Sequence, residues 1–201
     1  QNNNELRPTG GFLGSYGKIK FINGKIETLQ ISSTYDLDGQ LNEKILPPSP
    51  LLAVNQRWFL RDANWFTDFP ESAKKIIAFY EKEGEETPDL TIALTPRVIS
   101  GLLKITGPLR TAQGEELNEE TLHEQLQILT QGDTNDPSNE PKKILGELFI
   151  KLFQKISEMD SSGKAQILQV LQNALDNKEL LAYAHHGEAQ KIFESFNWSG
   201  H

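Results

Sequence analysis

Residues 89–103, D-L-T-I-A-L-T-P-R-V-I-S-G-L-L, decide the fold class. The short, mostly apolar stretch 89–95 predicts a strand. Pro96 suits the first turn of a following helix, because proline lacks an N–H that this turn would leave unpaired. Beyond it the apolar residues recur at helical spacing: Val98, Ile99, Leu102 and Leu103. A strand followed directly by an amphipathic helix indicates a layered α/β core.

Further strands are predicted on both sides of this stretch. Phe12 to Ser33 reads as two strands joined by Asn23-Gly24, a strong hairpin signal because both residues tolerate a positive φ. The stretch 179–184 predicts a last strand. We therefore expect an α/β domain whose mixed central sheet is built from the hairpin and the 89–95 strand, with helices flanking it.

The remaining apolar patterns predict helices and loops within one domain, residues 1–201. Helices are expected at about 71–83, 119–130 and 188–196, and loops at 36–56 and 57–70. After the polar linker 131–141, two amphipathic helices turn at Asp160-Ser161-Ser162-Gly163. They predict an antiparallel helical hairpin over 142–176, appended to the domain or inserted in it.

The charge distribution disfavours one class of partner. The net charge is −8, yet residues 1–110 carry 13 basic and 13 acidic residues, so the excess of acid lies in residues 111–201. An acidic chain without a basic stripe is a poor nucleic-acid binder, since phosphate neutralisation dominates that affinity. No apolar run reaches the roughly 18 residues needed to span a bilayer.

The common catalytic signatures are missing. The chain has no cysteine, which excludes disulfides, a thiolate nucleophile and Cys-based metal sites. It lacks the P-loop, dinucleotide-binding, nucleophile-elbow and H-E-x-x-H motifs. His185 and His186 are adjacent and point apart on a strand or helix, so a polar turn is the favoured interpretation.

Three polar groups of residues remain as site candidates. Arg7 and Thr9-Gly10-Gly11 precede the first strand, where glycine N–H groups and a guanidinium could hold an anion. Asp36 and Asp38 follow the hairpin, and two carboxylates could share Mg²⁺. Each group also has a purely structural interpretation, a glycine turn in the first case and self-capping Asp side chains in the second.

The third group is Arg61-Asp62-Ala63-Asn64, with Asp68 nearby. Arg61 and Asp62 could be an anion grip and a metal ligand or base. The alternative is an Arg–Asp network that stabilises a long loop. The neighbouring aromatic residues are expected to anchor that loop rather than to form a ligand cage: Trp58, Phe59, Trp65, Phe66 and Phe69.

Two of these motifs resemble one protein family. Residues 1–17, Q-N-N-N-E-L-R-P-T-G-G-F-L-G-S-Y-G, are similar to the opening signature of a bacterial domain-of-unknown-function family, DUF4012. Residues 61–70, R-D-A-N-W-F-T-D-F-P, are similar to its second signature, and the resemblance extends to Thr106-Gly107-Pro108 and Asn197-Trp198-Ser199-Gly200. It implies an extracytoplasmic envelope protein, anchored by a membrane helix upstream of Gln1. A start without Met then indicates a fragment or a processed product.

A weaker resemblance concerns the LytR–CpsA–Psr phosphotransferases, in the order of elements and in several motifs. Their R-S-D-T opening is similar to Arg7-Pro8-Thr9, their S-I-P-R-D strand end to 32–36, and their A-L-A-Y-A-R strand to 180–185. These enzymes move glycopolymers from a polyprenyl-diphosphate carrier, using arginines and aspartate-bound Mg²⁺. Here the opening Asp is missing, Tyr35 replaces the strand-end Arg, and His185 replaces the later Arg.

The resemblance implies α/β/α layers and a site that binds a lipid-linked phosphorylated glycan and Mg²⁺. The residues expected to act on a lipid-linked phosphorylated glycan are Arg7, Asp36, Arg61 and Asp62. The residues expected to contact it are Thr9, Gly10, Gly11, Asn64, Tyr183 and His185. Mg²⁺ would lie on Asp36 and Asp38. The alternative is a non-catalytic scaffold or glycan-binding module, in which these side chains only stabilise loops.

Overall fold

The computed structural model describes residues 11–111, 114, 116–122 and 140–200. The chain forms two compact units that alternate along the sequence. The first contains the described residues up to Gly14, then Thr34–Thr95 and the part from Leu175 onward. The second contains Ser15–Ser33 and the described part of Pro96–Ala174. Within these described stretches no helix is long and apolar enough to cross a membrane.

The first unit is built from helices and one pair of strands. Its elements are α1 (Thr34–Asp38), α2 (Ser49–Leu52), a 3-10 turn (Leu60–Asp62), α3 (Phe69–Lys82), β3 (Leu90–Leu94), β6 (Leu180–Ala184) and α7 (Gly187–Ser195). The ordered loop expected at 57–70 is confirmed, apart from the 3-10 turn and the start of α3. The 36–56 segment is not all loop, because α1 and α2 interrupt it.

Helix α3 is positioned by local sequence signals. The Asp68 carboxylate accepts a hydrogen bond from the backbone N–H of Glu71, 3.1 Å away, and so caps the first turn. Pro70 occupies an early helical position, where its missing N–H costs nothing. Gly84 follows the helix with a φ of 97°, a conformation that favours glycine.

The core of the first unit lies between α3 and strand β6. β3 pairs antiparallel with β6, with Leu90 opposite Ala184 and Leu94 opposite Leu180. Because side chains alternate along a strand, Leu181 and Tyr183 share one face and pack against α3. The helical residues of this cluster are Phe69, Ala73 and Ile77.

The second unit contains the hairpin. β1 (Ser15–Ile22) pairs antiparallel with β2 (Lys25–Ser33). Asn23 and Gly24 form the turn with φ values of 51° and 73°, so the sequence prediction is confirmed. A bulge between Lys20 and Phe21 shifts the register.

Five further elements belong to the second unit. They are α4 (Pro96–Thr106), the strand pair β4 (Leu109–Arg110) and β5 (Glu116–Leu117), and the long helices α5 (Glu140–Glu158) and α6 (Ser161–Asp176), of which the last two residues of α6 belong to the first unit. The Lys155 ammonium donates to the carbonyls of Thr106 and Pro108, 3.1 and 2.8 Å away, and so ties α5 to the end of α4.

The α/β class is confirmed, but the sheet arrangement differs from the expectation. In the described part of the chain there are three separate two-stranded antiparallel sheets and no mixed central sheet. The 89–95 strand pairs with β6, near the end of the chain, and among the described residues the hairpin strands pair only with each other. The helix expected at 119–130 lies mostly outside the described residues.

Candidate functional site

Two hydrogen bonds bring the two signature segments together. The backbone N–H of Leu13 donates to the Arg61 carbonyl at 2.9 Å, and the buried Asn64 amide donates to the Gly11 carbonyl at 3.4 Å. Gly11 is buried with a φ of 87°, which favours glycine at this position. The end of the first motif therefore lies along the second. Arg7, Thr9 and Gly10 lie outside the described residues.

A group of charged side chains lies beneath this junction, and we call it the acid–arginine cluster. It consists of Asp38, Arg61, Asp62 and Glu83. The Arg61 Nη1 atom lies 2.7 Å from Asp38 Oδ2, and its Nε atom lies 3.8 Å from Asp62 Oδ2. Both aspartates are buried, so the guanidinium holds them in an environment where an unpaired charge would be costly.

The Asp62 segment is fixed by further hydrogen bonds. The Asn55 amide donates to Asp62 Oδ2 at 3.2 Å, and the Trp58 indole N–H donates to the Asp62 carbonyl at 3.1 Å. The Trp58 ring is itself buried, 5.5 Å from the Phe79 ring. The packing of Trp58 therefore agrees with the expectation that this residue anchors its loop.

Glu83 is the least expected member of the cluster. It is 2 % exposed, and in the described part of the chain no well-aligned hydrogen-bond donor faces either of its carboxyl oxygens. Burial is the main reason why the pKa of Glu83 rises to about 8, and the negative charge of Asp38 acts in the same direction. Burial also raises the pKa of Asp38, although the hydrogen bond and the charge of Arg61 oppose that effect. Glu83 is therefore protonated at neutral pH.

The sequence contained a signal for Glu83 that the helix prediction did not use. Ser72, Ile76, Phe79 and Glu83 follow one another at helical spacing of three or four residues. Ser72 and Phe79 are buried. A carboxyl residue on the apolar face of a helix predicts an unusual environment, because a charged side chain there must be paired or neutralised.

Arg61 lies in a row of aromatic rings and guanidinium groups, which we call the arginine–aromatic ladder. Its members in order are Phe12, Tyr35, Arg61, Phe59 and Arg57. The Arg61 guanidinium carbon lies 4.1 Å from the Phe59 ring centre and 5.2 Å from that of Tyr35. The Arg57 guanidinium carbon lies 5.2 Å from the centre of the same Phe59 ring, and the Phe12 and Tyr35 ring centres are 6.0 Å apart. Such contacts between cations and ring faces are attractive.

The two aspartates predicted to share a metal lie on different sides of α1. Asp36 is exposed and Asp38 is buried, and residues two apart on a helix do not face each other. The pair therefore does not present two oxygens to one cation in this arrangement. In the described stretches, no group of three or more His, Cys, Asp and Glu side chains could hold a metal ion. Magnesium stays a prediction.

The predicted contacts at the end of β6 lie elsewhere in the first unit. Tyr183 packs in the hydrophobic core with Ala73 and Ile77, and His185 is exposed just after the strand. Ala73 and Glu83 are ten residues apart, about 15 Å along an α-helix. The structure thus brings together Gly11, Arg61, Asp62 and Asn64, and it places Tyr183 in the core instead.

These observations define a mixed α/β protein in which two polar motifs meet over a buried acid–arginine cluster. The chain belongs to the family described as protein of unknown function (DUF4012), which it matches over residues 1–128, more than half of its length. That range includes both signature motifs, whereas Asn197-Trp198-Ser199-Gly200 lies beyond it. No curated protein and no solved structure matches the chain.

Proposed function

We propose that this chain is a glycan-binding module of the bacterial cell envelope, with the arginine–aromatic ladder as its sugar-contacting surface. The observation that carries the proposal is the position of Tyr35. The residue is 46 % exposed, yet its ring is held beside the Arg61 guanidinium and the Phe12 ring. Sugars present flat C–H faces with hydroxyl groups at the edge, so a fixed, exposed ring beside hydrogen-bond donors suits them.

The state of Arg61 favours binding over group transfer. Its guanidinium is already engaged by Asp38 at 2.7 Å and lies 3.8 Å from Asp62, so two buried carboxylates share this one cation. A transferase acting on a diphosphate needs arginines whose charge is directed at the phosphates. We therefore assign Arg61 a positioning role, in which it holds Tyr35 and Phe59 in place.

Arg57 supports the same interpretation. Its Nη2 atom donates to the carbonyls of Leu41 and Glu43, each 2.9 Å away, and these hydrogen bonds stabilise the loop that contains them. The remaining guanidinium surface stacks on Phe59. In this proposal the carbohydrate part of the predicted lipid-linked glycan contacts the ladder. Arg7 is the residue we expect to contact any phosphate.

The extracytoplasmic setting of the proposal rests on the family resemblance. The full-length protein is expected to be anchored in the membrane by a segment that this chain does not contain. An envelope location would bring the ladder close to wall polymers. Fold alone does not assign a ligand, so the test has to be made on the Tyr35 surface itself.

The experiment measures binding of the 201-residue chain to two insoluble probes. These are peptidoglycan freed of attached polymers and peptidoglycan that still carries its phosphate-containing glycopolymer. We expect Tyr35→Ala to weaken binding about tenfold, because loss of one stacked ring costs about 1–2 kcal/mol. Tyr35→Phe keeps the ring and should bind as the unchanged protein does. A preference for the second probe would indicate that phosphate contributes.

Phe196→Ala is the matched control. Phe196 is an exposed aromatic residue of the same unit, stacked on Trp198 with ring centres 4.8 Å apart. It should leave binding unchanged. Equal losses in the Tyr35 and Phe196 variants, or no binding by the unchanged protein, would contradict the proposal. Release of a soluble product when a polyprenyl-diphosphate glycan and Mg²⁺ are added would instead support transfer.

A further inference from the structure

The β1–β2 hairpin divides its side chains into an apolar face and a basic face. Ile19 pairs with Leu29, and Phe21 pairs with Ile26. Because cross-strand partners share a face, these four apolar side chains lie together. Ile31, opposite Gly17, continues the same face. The opposite face carries Lys18, Lys20 and Lys25, together with Ile22, the cross-strand partner of Lys25.

Among the described residues of the second unit, helix α5 covers the base of the apolar face. Helix α5 packs on β2 at the base, where a methyl group at Gly146 would lie 3.7 Å from Ile31. Leu29 and Ile31 are half-buried there. Towards the turn the apolar residues are exposed, and Phe21 reaches 59 %. Three large apolar side chains, Ile19, Phe21 and Ile26, thus face outward side by side.

The charge of the hairpin is opposite to that of the chain. Residues 15–33 contain three lysines and one glutamate, a balance of +2, whereas the whole chain carries −8. Lys20 lies 2.8 Å from Glu27. An exposed apolar face backed by a basic face complements a negatively charged surface with an apolar interior, and an anionic lipid bilayer has this combination.

We propose that the β1–β2 hairpin docks on the interface of an anionic lipid membrane. The apolar face of Ile19, Phe21 and Ile26 enters the boundary between headgroups and acyl chains. The lysine side chains extend into the phosphate layer, since their long stems let the ammonium reach polar surroundings. Ile19 lies four residues before Asn23, about 13 Å along the strand, so this surface is wide enough to rest on the interface. The inference is independent of the glycan site.

Vesicle sedimentation of the full 201-residue chain tests the apolar part. We expect binding to vesicles of phosphatidylglycerol and phosphatidylcholine, and much weaker binding to phosphatidylcholine alone. Phe21→Ser should weaken binding about ten- to hundredfold, the range expected for withdrawing one large side chain from the interface. Leu168→Ser is the matched control, because Leu168 is an exposed leucine of α6, 67 % accessible, and should bind as the unchanged protein does.

The basic face has its own test. Lys25→Gln should weaken binding to the anionic vesicles about fivefold, as expected for one lysine near such a surface. Lys44→Gln removes an exposed lysine of the first unit and should have no effect. Raising the salt concentration should weaken binding of the unchanged protein and reduce the difference between it and the Lys25 variant.

A labelled variant answers the objection that Phe21→Ser disturbs the hairpin. Since the chain contains no cysteine, Phe21→Cys provides a unique attachment point for an environment-sensitive dye. Its emission should shift to the blue on anionic vesicles, while the same dye on Leu168→Cys should not respond. Tyr35→Ala should bind vesicles normally, which separates this inference from the proposed glycan site.

Three results would overturn the inference. One is equal binding to both kinds of vesicle, or none. Another is a concentration-dependent dimer without lipid that Phe21→Ser abolishes, which would assign the apolar face to a second copy of the chain. A dye at position 21 that stays in water on vesicles that bind the protein would also contradict docking through the hairpin.

Discussion

The acid–arginine cluster and the hairpin both combine cations with apolar side chains, yet they use the cations in opposite ways. In the cluster, Arg61 is surrounded by carboxyl groups and stacked between rings, so its charge serves the fold. In the hairpin the lysines stand on an exposed face in a stretch with a single acid. The comparison shows that the surroundings of a cation decide its role. A cation that is buried beside carboxylates stabilises the fold, whereas a cation on an exposed face with few acidic neighbours can attract a charged ligand.

The largest expected effect concerns pH and Glu83. Its pKa is raised from 4.5 to about 8 by folding, so the folded chain holds a proton that the unfolded chain releases. This stabilisation is complete below about pH 4.5 and is lost as pH rises through about 8. The full shift corresponds to roughly 5 kcal/mol. Glu83→Gln cannot ionise, so its stability relative to the unchanged protein should rise across this window.

Urea denaturation at several pH values measures this difference. Glu86→Gln is the control, because Glu86 is exposed and lies three residues further along. It should follow the unchanged protein at every pH. Parallel pH profiles for the unchanged protein and Glu83→Gln would show that Glu83 is not protonated in the folded chain.

The next effect is the loss of Arg61. Arg61→Met keeps much of the packing but leaves the buried Asp38 carboxylate without its cation, so we expect a loss of about 3 kcal/mol in the free energy of unfolding near pH 7. Asp38→Asn in addition should recover part of this loss. The double variant is the sharper observation, because recovery distinguishes an uncompensated charge from a packing defect. No recovery would mean that Arg61 acts mainly through its contacts with the rings.

A smaller effect is expected in the hairpin turn. Gly24 has a φ of 73°, where a side chain adds strain, so Gly24→Ala should cost about 1 kcal/mol. Calorimetry of the purified chain measures the cost. Gly187→Ala is the control, since Gly187 begins α7 and a methyl group there meets nothing within 4 Å. A cost at Gly187 as large as at Gly24 would contradict the turn geometry.

The smallest effect contrasts an exposed ion pair with the buried one. Lys20 and Glu27 lie 2.8 Å apart with side chains 62 % and 43 % exposed. We expect a double-variant cycle between Lys20→Met and Glu27→Gln to give a coupling below about 1 kcal/mol, and still less at high salt. A coupling as large as that of Arg61 with Asp38 would remove the distinction between the two regions.

Local signals in the sequence predicted much of the fold. Asn23-Gly24 marks the hairpin turn, and Pro96 starts α4, because glycine and proline restrict the backbone wherever they occur. The connection between α5 and α6, residues 159–160, meets the turn expected at 160–163 at Asp160, while Ser161 already begins α6. The pairing of β3 with β6 could not be read in the same way. It joins residues about 90 positions apart, and no local rule chooses between this partner and the hairpin.

The candidate site shows the same division. The sequence singled out Arg61, Asp62 and Asn64 as a polar group, and their nearness in the chain made their nearness in space certain. Asp36 and Asp38 looked equivalent, but α1 turns one outward and buries the other. Glu83 and Tyr35 gained their roles only through packing, which buries the carboxyl group of the one beside Asp38 and fixes the exposed ring of the other.

By itself, then, the amino-acid order determined the class of fold, the turns and the segments with polar chemistry, since these depend on backbone preferences and side-chain spacing within a few residues. Tertiary structure alone decided which charges are neutralised. Desolvation and electrostatic attraction depend on distances between residues far apart in the chain, and those distances exist only once the chain has folded.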